Sequence, residues 1–177
     1  MIYISKKNFK IVHSINTLNE QEYFECDELI APAISSFNKK GYETAFCCSG
    51  HVAPVSTDTT YSDEFVPVNG LYVTFKKVNP NKNLLKFLKS SKLDLLKEFN
   101  IIVEKCNPCF LFTIEHDLGK NLEGPFTGDT RQVAEIYKEL LDINQKLFEI
   151  ARKIPHKRQL NKSFHRVRKG GVKNGKQ

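Results

Sequence analysis

A chain of 177 residues, 40% of them hydrophobic, suits one compact domain with a core and room for a short appendage. No run approaches the ~18 apolar residues of a membrane span, and the first seven residues lack the apolar stretch of a signal peptide, so a cytoplasmic protein with no membrane contact is expected. Ten of the 27 Lys and Arg follow Ala151, where Asp and Glu are missing, while the first 150 residues hold 17 basic and 20 acidic groups; the net charge of +7 therefore belongs to the C-terminal segment and excludes a basic body.

Phe9 to Ile15 alternates weakly and reads as a strand. Asp27 is placed to cap a helix reaching about Lys40, with Leu29, Ile30, Ala33, Ile34 and Phe37 on its apolar face and Gly41 ending it. Glu43 to Cys48 reads as a short strand, and the polar stretch from Ser49 to Asn69 as a loop. Leu71 to Lys77 alternates cleanly, with Leu71, Val73 and Phe75 on one face. Asn79-Pro80-Asn81 is a break, followed by two short helices between Leu84 and Phe99.

Ile101 to Lys105 and Phe110 to Glu115 read as strands meeting at a turn, and Asn121 to Gly128 as a loop. Asp129 caps the longest predicted helix, Thr130 to Lys153. Its expected buried stripe is Val133, Ile136, Tyr137, Leu140, Leu141, Asn144, Leu147, Phe148 and Ala151, and Pro155 stops it. Leu160, Phe164 and Val167 are spaced for a basic amphipathic helix, and the Gly-rich residues after it read as disordered.

Two motifs carry the chemistry: Cys47-Cys48-Ser49-Gly50-His51 and Cys106-Asn107-Pro108-Cys109. Two soft ligands separated by two residues in a tight turn can face one ion, and structural zinc takes four in a tetrahedron. The expected Zn2+ ligands are Cys48, His51, Cys106 and Cys109, with Cys47 as the alternate to Cys48. The 54 residues between the two motifs far exceed a zinc finger's spacing, so the fold itself must bring them together. The competing explanation is metal-free: Cys47 and Cys48 as buried strand cysteines, since cysteine is among the most buried residue types, and Cys106 and Cys109 closing a β-turn. A strand follows Cys109, where a thioredoxin-like site needs a helix N-terminus. Cys26 is read as incidental.

No catalytic constellation stands out. Glu115-His116-Asp117 reads as a solvated strand end, since neighbouring strand residues point to opposite faces. Thr57, Thr59, Thr60 and Tyr61 read as an exposed loop, and there is no phosphate loop or dinucleotide fingerprint.

Two resemblances extend this reading. Asp27 through Asn38, followed by Tyr42-Glu43-Thr44 and Cys47-Cys48-Ser49-Gly50-His51, resembles part of the wybutosine-synthesis methyltransferase family, in which a Tyr/Phe-x-Thr strand ends in Ser-Cys-Ser-Gly-Arg. Cys47 stands here for the family's Ser and His51 for its Arg. That resemblance implies a tRNA-modifying enzyme using S-adenosylmethionine. The run from Lys39 to His51, together with a Leu-rich helix closing at Ile154-Pro155, is similar to small accessory proteins of low-GC bacterial phages, among them zinc-containing anti-CRISPR proteins that bind type II Cas9. It implies a protein partner, Cas9 or a similar nucleic-acid-guided nuclease, met in the host cytoplasm.

The expectation is therefore an α+β fold, a small mixed or antiparallel sheet with two to four helices packed on it and stapled by zinc. Residues 1–155 form the domain and 156–177 a basic tail, mobile from about Lys157. The leading functional expectation is a non-enzymatic inhibitor that docks on a nucleic-acid-processing complex, with Asp58, Asp63 and Glu64 placed to meet basic groups of the partner. The methyltransferase-like enzyme is one alternative. Direct nucleic-acid binding is the other, through Lys157, Arg158, Lys162, Arg166, Arg168 and Lys169.

Overall fold

The computed structural model describes residues 1–15, 21–57, 60–91, 93–103, 110–116, 126–127 and 130–170. It is an α+β protein whose described strand pairings are all antiparallel. The chain opens with β1 (Ile2–Ser5), β2 (Ile11–Val12) and β3 (Tyr23–Cys26), a three-stranded sheet in the order β2-β1-β3. Helix α1 (Ala31–Lys39) leads to β4 (Thr44–Cys48). Next come β5 (His51–Thr57) and β6 (Thr60–Asn69), which pair as a hairpin, and then β7 (Leu71–Lys76). After α2 (Asn79–Ser90) and a 3-10 turn at Asp94–Glu98 come β8 (Asn100–Ile102), β9 (Phe110–His116) and β10 (Phe126–Thr127). Helices α3 (Thr130–Lys153) and α4 (Lys157–Gly170) complete the described chain. The central sheet runs β4-β7-β9-β8, and β10 joins the hairpin as β10-β6-β5.

The alternation of β7 fixes the core. Leu71, Val73 and Phe75 are fully buried beside Phe112 and Ile114 of β9. Phe75 stacks on Phe112 at 4.6 Å between ring centroids, and Phe37 of α1 meets Phe75 edge-on at 5.0 Å. Such pairs add to the burial of the rings themselves. Helices α1 and α3 pack against each other and cover this face through β4 and β7.

Several elements differ from the sequence reading. The strand expected over Phe9 to Ile15 shrinks to Ile11–Val12, because Phe9 takes a left-handed φ of 56° in the preceding turn. The loop expected from Ser49 to Asn69 is the β5–β6 hairpin. Asn79-Pro80 opens α2, since Pro lacks an N–H that the first helical turn does not need. The stripe of α3 is turned from the one expected: Ile143 and Ile150 are buried, whereas Tyr137 and Leu141 are 51% and 55% exposed.

The segment expected to be a mobile tail begins as a docked helix. The Lys157 N–H donates to Lys40 O at 3.0 Å, Asn83 bonds Asn161, and Leu160 is buried. Lys40 holds the junction: its ammonium donates to the carbonyls of Ala151, Arg152 and Ile154 at the end of α3, where unpaired carbonyls favour a cation. Burial, with Arg152 nearby, lowers the Lys40 pKa. Tyr42 adds a hydrogen bond to Pro155 O at 2.7 Å.

Candidate ligand cleft and cysteine cluster

The end of β4 is fixed by polar side chains drawn from distant positions. Asp27 Oδ2 accepts both the backbone N–H and the hydroxyl of Ser49, at 3.1 and 3.2 Å. Asn144 of α3 donates to Ser49 O at 2.8 Å from a buried position. Gly50 takes φ 82°, which lets the chain turn from β4 into β5. At the other end of β4, Asn38 donates to Thr44 Oγ1 at 2.8 Å and to Ile34 O. The polar residues that carry the methyltransferase-like resemblance, Asp27, Asn38, Thr44 and Ser49, are thus joined as two pairs that hold α1 and the preceding turn to β4.

Cys26, at the end of β3, lies against Cys47 of β4 with 3.7 Å between the sulfurs. The hydrogen bond to Cys47, followed by burial, raises the Cys26 thiol above its ordinary range. The same bond lowers Cys47 below it. Burial raises the Cys48 thiol, with Asp27 and Cys47 adding to the effect. Cys26, read from the sequence as incidental, is therefore the near neighbour of a candidate ligand. The signal was its place beside Asp27, at the start of the motif-bearing stretch.

Of the expected zinc ligands, Cys48 is placed, buried at the end of β4. The side chain of His51 and both Cys106 and Cys109 lie outside the described residues. No group of three potential ligands that could hold a metal occurs among the described residues. Cys48 pairs with Tyr72, and Tyr72 with Glu115, whereas Phe110, the first described residue of β9, pairs with Lys76. Phe110 and Glu115, five positions apart, are separated by about 17 Å of strand.

The second feature is a cleft of about 900 Å³ between the N-terminal sheet, β4 and the start of α4. Lys6, Lys39, Lys76, Lys157 and Arg158 line it, with His156; Glu25 and Glu43 are its carboxylates. Glu43 already faces Lys76 at 3.7 Å. Phe9, Phe24 and Phe46 supply aromatic surface, Phe46 being 58% exposed, and Cys47 lies in the wall. Gly41 sits at the edge with φ 85°, and a β-carbon there would stand 2.2 Å from Lys157 Cδ. Of the expected tail contacts, Lys157 and Arg158 reach the cleft and Lys162 is exposed on α4. Arg166, Arg168 and Lys169 belong to α4, with side chains outside the description. Asp58 lies outside the described residues, as do the side chains of Asp63 and Glu64.

No family model matches this chain, and no curated protein or solved structure matches it at a significant level. Among the described residues, no helix is long and apolar enough to cross a membrane.

Proposed function

We propose that this chain is a stoichiometric, non-catalytic binding protein that takes a single strand of nucleic acid into the cleft beside α4. The observation that carries the reading is the convergence of cations from four parts of the chain. Lys6, Lys39 and Lys76 come from the otherwise acidic body and meet Lys157 and Arg158 of the basic segment. Docking α4 makes the C-terminal charge part of one surface, the property that a phosphate backbone requires. Phe9, Phe24 and Phe46 add aromatic surface to the same cleft, the kind of surface on which single-stranded bases stack independently of sequence.

Titration of a fluorescent oligonucleotide, followed by anisotropy, tests this reading. Binding should saturate at one chain per site and weaken steeply with salt, the log–log slope falling by about 0.7 for each phosphate contact removed. Lys39→Glu and Arg158→Glu should each weaken it at least tenfold. Failure of the wild-type chain to bind at low salt overturns the proposal, and measurable S-adenosylmethionine affinity would favour a methyltransferase-like enzyme.

A second reading is docking on a nucleic-acid-guided nuclease such as Cas9, in the manner of zinc-containing anti-CRISPR inhibitors. Its support is the exposed Tyr137 and Leu141 on α3, large apolar groups one helical turn apart. Loss of Cas9 cleavage at one equivalent, abolished by Leu141→Asp but retained in Arg158→Glu, would favour it over the first. Zinc held by Cys48, His51, Cys106 and Cys109 belongs to both readings as a structural staple, with all four positions filled by protein and none left for catalysis.

A further inference from the structure

The Cys26 and Cys47 sulfurs are 3.7 Å apart and belong to strands of two different sheets. Cys26 is 4% exposed, behind its partner. Cys47 is half-buried and lines the cleft, so a small solute can reach it. A disulfide needs its sulfurs at about 2.05 Å, which these two reach by closing less than 2 Å. Cys48, next in sequence, points to the other side of β4 and is buried. The described structure therefore supplies one accessible thiol with one resolving thiol directly behind it.

We propose that Cys26 and Cys47 form a reversible dithiol–disulfide pair that responds to peroxide, with Cys47 the reacting thiol and Cys26 the resolving one. The Cys47 thiolate attacks one oxygen of hydrogen peroxide. The O–O bond breaks, water leaves after proton uptake, and Cys47 becomes a sulfenic acid. The Cys26 sulfur then attacks the Cys47 sulfur; the S–O bond breaks, the S–S bond forms, and a second water carries away the oxygen and the Cys26 proton. Two thiols surrender two electrons and one peroxide becomes two waters. The product ties the edge of the N-terminal sheet to β4 and alters the cleft wall. This inference rests on thiol geometry and is independent of what the cleft binds.

The full chain, treated with a small excess of hydrogen peroxide, then alkylated and digested without reductant, tests it by mass spectrometry. The expected result is a cross-linked Cys26–Cys47 peptide, loss of two of the five alkylatable thiols, and recovery of both with dithiothreitol. In Cys26→Ser, Cys47 should stop at the sulfenic acid and be trapped by dimedone; in Cys47→Ser, Cys26 should stay alkylatable after unfolding. The wild-type map decides the matter even if a variant fails to fold. Disulfides that join only other cysteines, or Cys26 and Cys47 both still reduced when the other thiols have oxidised, overturn the proposal.

Discussion

Asp27 places one carboxylate oxygen against both donors of Ser49, 22 residues away, and leaves α1 without a side-chain cap. The sequence pattern assigns Asp27 to the helix start, because an Asp before an apolar-periodic run is an ordinary N-cap. The structure spends it on the β4–β5 turn. Asp27→Ala should therefore loosen the turn rather than unravel α1. It removes two hydrogen bonds to a charged acceptor, so a loss of about 2–4 kcal/mol is expected from chemical denaturation. Ser49→Ala, which keeps the backbone donor, should cost less than half as much. Equal losses for the two variants would mean that the hydroxyl bond to Asp27, and not the backbone N–H bond, holds the turn.

Gly41→Ala combines two penalties. The left-handed φ of 85° disfavours any β-carbon, and that carbon would lie 2.2 Å from Lys157 Cδ. The backbone term alone costs about 1–2 kcal/mol. Because the lysine stem can move, the rest should appear as a displaced Lys157. The variant should lose roughly 1–3 kcal/mol of stability and weaken oligonucleotide binding by no more than Lys157→Ala does. Unchanged stability would refute the close approach of the two segments.

The buried side of α3 can be read by paired truncations. Leu140 is 1% exposed and Leu141 is 55% exposed. Leu140→Ala should cost about 2–5 kcal/mol and Leu141→Ala under about 0.5 kcal/mol. Comparable large losses at both positions in thermal melts would restore the stripe that the sequence suggested, which holds both leucines.

Removing residues from Lys157 onward should destabilise the protein. It would expose the surface that Leu160 covers and remove the Lys157–Lys40 and Asn161–Asn83 hydrogen bonds. Burying one Leu is worth about 1.5–3 kcal/mol. A lower melting temperature on truncation is expected; an unchanged one would return the segment to the status of a detached tail.

What was legible in the sequence follows physical range. The β7 alternation and the existence of α1 and α3 come from local periodicity, and all three are present. The turn of α3 about its axis was missed because Tyr137 and Leu141 count as apolar in any local pattern, although only packing decides which apolar residues face in. The docking of α4 was missed because ten like charges suggest repulsion, whereas Leu160 and the backbone bond to Lys40 anchor the first turn. The thiol pair and the cleft were invisible for a simpler reason: each is assembled from segments far apart in sequence.

The metal prediction separates two arrangements of the cysteines. If zinc is held by Cys48, His51, Cys106 and Cys109, chain purified without chelator should carry about one zinc, and Cys106→Ser should release it and lower the melting temperature, because the binding energy of a structural metal is partly folding energy. Cys26→Ser should leave the zinc in place. The opposite pattern has its own geometric basis. Two thiolates on a tetrahedral zinc, each at about 2.3 Å, stand about 3.8 Å apart, and Cys26 and Cys47 are already at 3.7 Å. Zinc that survives Cys106→Ser but departs with Cys26→Ser would place the ion at that pair. Bound there, it would also protect both thiols from peroxide, so metal content and the disulfide map should move in opposite directions. Chain that carries no zinc under these conditions would exclude both arrangements and leave Cys26 and Cys47 as free thiols in contact.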